Sequence, residues 1–310
     1  MGRAPLVGAL GRIVLPRVVL DTNAVRALDA SVASKLTADG RLLSISEVAL
    51  IELWAASVRS LADGASRARA RGLLQVPIRR LNKFVDPIYP VAVVRTPALQ
   101  RVEHQVGGPP PSKEVTDYVA MRTAEWRLVA SGAWNDEEWI AQGRIYQRWL
   151  DDIEGQFAKL ARRSDQASRE DAPVDGGERR KRYEALTKDE RRDAYLAFAR
   201  EAVPVSPAAE ERVDLWHRFL GQRLFEAAQG SRSPKDNDGA DSMTLIHVAE
   251  GAVLVANDRK MVDVVDECGS FQGAWVRRFD QLDDLPDVQP WGPAARALSH
   301  VFARKRKLVP

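Results

Sequence analysis

Cysteine is nearly absent from this 310-residue chain, where Cys268 stands alone. A single thiol excludes an internal disulfide and any metal knot of several thiolates, and it fits a reducing compartment. Histidine is scarce as well. None of His104, His217, His247 and His300 stands at metal-ligand spacing from another His or from Cys268, so each is expected to be structural. No run of about eighteen uncharged apolar residues occurs, and Arg12, Pro16 and Arg17 interrupt the apolar start too early for an export signal. No membrane association is expected, and the chain reads as soluble and cytoplasmic. An excess of one charge sign is also missing: 46 Lys and Arg against 43 Asp and Glu leave a formal +3. Any nucleic-acid footprint would therefore be local. No internal repeat is found.

What is present is an ordinary globular profile, 45% hydrophobic and 29% charged, with material for one large domain or two modest ones. Ile13 to Leu20 predicts a first strand, whose apolar end Val18-Val19-Leu20 stops at Asp21-Thr22-Asn23, as a buried parallel strand would. Val25, Leu28, Val32 and Leu36 then recur at helical spacing. Leu42 to Ile45 predicts a second strand, and Ser46 caps a helix carrying Val48, Leu50, Ile51, Leu53, Trp54 and Val58. This β-α-β-α order implies a parallel sheet. An Arg-rich helix over 65–84, a strand after Pro90 and a short helix over 97–106 follow. Gly107-Gly108-Pro109-Pro110-Pro111 then marks a boundary.

Residues 107–207 read as a mostly helical insertion. A stripe of Trp139, Gly143, Tyr146, Leu150, Ile153, Phe157 and Leu160 predicts a long helix, with Trp126, Trp134, Trp139 and Trp149 as packing anchors. Ser164 to Gly177 reads as an exposed loop, and the basic run Glu178 to Arg182 opens a helix to about Ala202. That run is a solvated face or a phosphate contact. The α/β pattern resumes with a helix over 208–228, a polar loop to Gly239 and a helix opened by Asp241. A buried strand, Ala252 to Ala256, ends at Asn257-Asp258; a helix over 259–265 and a last strand over 274–278 follow. The division is therefore 1–106 and 208–285 as two parts of one α/β domain, 107–207 as the insertion, and 286–310 as a basic tail ending in Arg304-Lys305-Arg306-Lys307.

Two apolar runs far apart in the chain thus end in carboxylates, Asp21 and Asp258, while Glu52 and Asp241 lie on helices that begin near strand ends. If the two strands are neighbours in a parallel sheet, the four acids converge at its carboxyl edge. Like charges that close cannot all stay ionised without cations. Hard oxygen ligands suit Mg²⁺ or Mn²⁺, and two such ions about 4 Å apart can stabilise both oxygens of a phosphoryl displacement.

At these residues the chain resembles the PIN-domain ribonucleases. The matching motifs are Leu20-Asp21-Thr22-Asn23, Ile45-Ser46 with Glu52-Leu53 following, Asp241 at the head of an apolar helix, and Leu254-Val255-Ala256-Asn257-Asp258-Arg259. The resemblance implies a three-layer α/β/α fold with a central parallel sheet and an acidic cluster that binds divalent metal to hydrolyse RNA. It makes Asp21, Glu52, Asp241 and Asp258 that cluster, with Thr22 and Asn23, and Asn257 beside Asp258, as supporting polar residues. It also implies RNA as substrate, the role of toxin in a toxin–antitoxin pair with an antitoxin or other protein as partner, and a homodimer. Ala256 departs from the pattern, because many members carry a hydroxyl there. The insertion has no counterpart in the compact toxins.

Asp238 rivals Asp241 as the third acid and is otherwise expected in an outer contact. Pro234 to Asp241 resembles a calcium loop in composition, but its Gly falls too early and no closing Glu follows. Arg259 and Lys260 are surface residues or weak phosphate contacts. A PIN-like module that binds RNA or protein without cutting is the alternative reading. A phosphatase of the haloacid dehalogenase type ranks lower, since its second Asp would fall where Asn23 stands.

Overall fold

A computed structural model describes residues 16–38, 40–94, 96–170, 186–228 and 238–306. The expected basic run 178–182, most of the polar loop before Asp238, the start of the first strand at 13–15 and Lys307 lie outside the described residues.

The apolar run before Asp21 is extended over Val18–Leu20 (β1), with every residue buried. Ser46 ends the next strand, Leu43–Ser46 (β2), which is also wholly buried. Two faces of protein cover each strand, which is why both read as continuous apolar runs rather than alternating ones. The remaining strands are Val91–Ala92 (β3), Val253–Ala256 (β4) and Val276–Arg278 (β5). All five pair in parallel in the order β3-β2-β1-β4-β5. The register sets Leu20 opposite both Ile45 and Val255. Strand order therefore reverses direction between β1 and β4, and a crevice opens there at the carboxyl ends.

The helices are Thr22–Ala27 (α1), Ala30–Ala38 (α2), Glu47–Ala62 (α3), Arg67–Leu81 (α4), Thr96–Gln105 (α5), Lys113–Ser131 (α6), Asp136–Glu170 (α7), Lys188–Ala202 (α8), Glu210–Ala228 (α9), Asp238–Thr244 (α10), Ile246–Ala249 (α11), Arg259–Glu267 (α12) and Gly292–Arg306 (α13). Among the described residues, none is long and apolar enough to cross a membrane. One face of the sheet, with Val19 and Leu254, packs on Val102, Phe219, Ile246 and Val262. The other, with Val18, Leu20 and Ile45, packs on Leu50, Trp54, Trp126, Trp134 and Trp139.

The helices of 107–207 are therefore not an appendage. Trp54 Nε1 donates to Trp139 O at 2.9 Å and Trp139 Nε1 to Ser57 Oγ at 2.9 Å. Trp54 also meets Trp134 edge-on, 4.9 Å between ring centres. Gly143 lets α7 approach this close, since a Cβ there would stand 2.2 Å from Val58 Cγ2. The four tryptophans behave as packing anchors, Trp149 only partly buried against both cores.

Several boundaries differ from expectation. The predicted loop from Ser164 is helical as far as Glu170, because Ser164 is buried and bonds back to Ala161 O at 2.8 Å. The helix at Asp241 begins earlier, at Asp238. The segment expected as a basic tail carries α13, which places Ala295 in the core.

Candidate functional site

Asp21 closes β1 and caps α1. Its Oδ1 accepts from Ala24 N–H at 2.6 Å and from Asn257 N–H, just past β4, at 3.4 Å. The two strand ends are tied directly as well, by Asp21 N–H donating to Val255 O at 3.0 Å. Asp258 caps α12 in the same way, accepting from Lys260 N–H at 2.8 Å and Met261 N–H at 3.3 Å. Each carboxylate sits at a helix N-terminus, where the orphan amides and the dipole favour negative charge.

Glu52 faces this edge from α3 and accepts a hydrogen bond from Thr22 Oγ1. Thr22 is buried beside Asp21, and thus orients the second acid. Asp241 lies in the first turn of α10. Burial raises its carboxyl well above the ordinary range, and Asp258, Glu52, Asp238 and Asp21 raise it further. Asp21 is pushed up to about 7, chiefly by burial and then by Glu52 and Asp258, although its two amide donors pull the other way. Burial raises Glu52 too, against Thr22 and the nearby guanidinium groups of Arg26 and Arg59. The four acids read from the sequence thus form one electrostatically coupled group at the reversal point of the sheet.

The supporting residues divide. Thr22 touches the group, Asn257 reaches it through its backbone, and Asn23 is exposed in the first turn of α1. Asp238 is 1% exposed and lies 3.2 Å from Arg223 Nε of α9, itself 1% exposed, and its charge is among those that raise Asp241. Arg259 and Lys260 are exposed, the former 3.9 Å from Asp263.

All four acids offer hard oxygen donors, which suits Mg²⁺ or Mn²⁺ rather than softer metals. Among the described residues, no three acidic, imidazole or thiol groups are drawn close enough to grip an ion directly. A Mg²⁺ site needs less than that, since the ion keeps several waters and is held through one or two carboxylates. The donor chemistry therefore fits.

Three features went unread in the sequence. Glu154 of α7 accepts from Gly239 and Ala240 at the head of α10, and lies within electrostatic reach of Glu52 and Asp238. Arg26 and Arg59 are exposed cations flanking Glu52. Glu47, in the first turn of α3, is 1% exposed and bonds Val94 N–H at 3.0 Å, Arg122 Nε at 2.6 Å and Tyr118 OH.

The histidines are structural where described. His247 is fully buried between Ser46 Oγ at 3.2 Å and Glu250 Oε2 at 3.1 Å. Both ring nitrogens are thus engaged, Nε2 with the hydroxyl and Nδ1 with the carboxylate. That chain has the order of a hydrolase triad, but Ser46 is 0% exposed and meets no substrate. His217 Nε2 donates to Val203 O at 2.9 Å, and His104 bonds Gly108 O at 3.1 Å.

Comparison of the chain with family models, with curated proteins and with solved structures yields no match.

Proposed function

We propose that this protein is a PIN-like, divalent-metal-dependent endoribonuclease whose acidic site is Asp21, Glu52, Asp241 and Asp258. The observation that carries the reading is the gathering of these four acids around the carboxyl ends of two adjacent parallel strands, where burial raises the carboxyls of Asp21, Glu52 and Asp241 and the neighbouring acids raise Asp21 and Asp241 further. A structural role would not require four like charges in one crevice, whereas a cation there relieves the repulsion. When bound, Mg²⁺ or Mn²⁺ would supply Lewis-acid stabilisation of phosphoryl charge and a water of lowered pKa.

The chain's own groups do the rest. Ala24 and Asn257 amides fix Asp21, and Thr22 fixes Glu52. Arg26 and Arg59 stand exposed beside Glu52, where guanidinium groups would hold phosphates flanking the scissile one. The reaction adds water across a P–O bond, leaving a phosphate on one RNA end and a hydroxyl on the other. Protein partners, whether an antitoxin or a second copy, belong to the same reading by resemblance.

Purified protein should cut RNA with added Mg²⁺ or Mn²⁺, and Asp21→Asn should reduce the rate by at least a hundredfold, on the order of the loss of one essential ligand. One observation favours a second reading, a module that binds RNA or protein without cutting: no three acids among the described residues grip an ion directly. RNA affinity without Mn²⁺ binding or turnover would select it.

A further inference from the structure

Helix α7 belongs to the expected insertion, yet it reaches the site. Glu154 Oε2 accepts from Gly239 N–H at 3.3 Å and Oε1 from Ala240 N–H at 3.1 Å. These amides belong to the first turn of α10, where no helical acceptor exists for them, and Ala240 directly precedes Asp241. The approach is close: a Cβ on Gly239 would stand 2.7 Å from Ile153 Cγ2 and 3.3 Å from Ile153 O. On the opposite flank, Asp238 of the same turn is held 3.2 Å from Arg223 Nε. The head of α10 is thus gripped from α7 and from α9.

We infer that Glu154 is a positioning residue that fixes the first turn of α10, and with it Asp241, so that the inserted helix α7 assembles the acidic site. This rests on the metal-dependent reading above. The side-chain type supports it. Both amides need an acceptor, and a carboxylate provides two oxygens where Gln would turn an NH₂ toward one of the donors. Glu154 stands there although it adds a negative group near Glu52 and Asp238, an arrangement that costs repulsion unless the bonds or a cation offset it.

The test is Mn²⁺ titration by calorimetry, together with the Mg²⁺ dependence of RNA cleavage, on full-length wild type, Glu154→Ala, Glu154→Gln, Gly239→Ala and Asp21→Asn. The expected result is Mn²⁺ affinity weakened roughly tenfold or more in Glu154→Ala, the range for residues that orient ligands, with Mg²⁺ at saturation recovering much of the rate. Glu154→Gln should fall between Ala and wild type. Gly239→Ala should move in the same direction as Glu154→Ala while removing no charge, which separates positioning from simple loss of a negative group. If Glu154→Ala fails to fold, the Gln and Gly239 variants decide by the same criterion. Wild-type Mn²⁺ affinity in these variants, with Asp21→Asn still inactive, overturns the positioning role alone. Wild-type protein that binds no Mn²⁺, or cutting unaffected by Asp21→Asn, overturns both the positioning role and the nuclease reading.

Discussion

At the scale of single residues, Asp21 is the group most changed by its surroundings. Its carboxyl is pushed up to about 7 in the folded protein, far above the ordinary aspartate range, so near neutral pH the folded state holds a proton that the unfolded chain releases. Stability contributed by that proton is present at acid pH and is lost as pH rises through about 7. The size is of order 4 kcal/mol for metal-free protein. Asp21→Asn should therefore melt higher than wild type above pH 7 in chelator and nearly alike near pH 4; a melting series over pH checks it. Thr22→Val should leave Glu52 without its donor and shift the Mg²⁺ requirement upward severalfold, read from cleavage against Mg²⁺ concentration. Asp21, Glu52 and Asp258 were legible in the sequence because each breaks an apolar run at a strand end or helix face. The choice between Asp241 and Asp238 was legible only as a rivalry, since Arg223, which pairs with Asp238, gives no local sign. Glu154 was unreadable for a related reason: a charged residue on the polar side of an amphipathic stripe looks solvated, and its two amide partners lie far along the chain.

At the scale of elements, the join between α3 and α6 is ionic. Arg122, 5% exposed, spans Glu47 at 2.6 Å and Glu125 at 2.7 Å, and also bonds the hydroxyls of Tyr118 and Tyr146. Burial raises both tyrosines, and Glu47 adds to the rise in Tyr118. Removing one partner leaves the other charge buried and unpaired, so Arg122→Ala should destabilise by about 3–5 kcal/mol. Arg122→Met paired with Glu47→Gln should cost much less; chemical denaturation of the single and double variants measures the difference. Strand positions and the helix stripe of α7 were readable from periodicity. Helix ends were not: the residues after Ser164 are polar and look like a loop, while packing of Ser164 and Ala161 carries the helix onward.

At the scale of the whole molecule, the parallel sheet followed from alternating strand and helix patterns, and the reversal between β1 and β4 makes the two distant acids neighbours. The helices of 107–207 share a core with the sheet. Trp126, Trp139 and Tyr146 fill the core around Trp54, and a buried aromatic is worth about 3–5 kcal/mol against its removal. A chain with 107–207 replaced by a short linker should lose cooperative unfolding and near-ultraviolet dichroism, whereas a free-standing insertion would leave both intact. Composition marks that segment as different, but shared burial is invisible until the sheet's covering helices are placed.

The central claim is that the coupled acids at the β1–β4 edge work through a divalent cation on RNA. The most direct measurement is cleavage of RNA by wild type and Asp21→Asn side by side, with Mg²⁺ or Mn²⁺ and with excess chelator. The account predicts cutting by wild type with metal alone, and none by the variant. Equal cutting by both proteins, or cutting that persists in chelator, would contradict it.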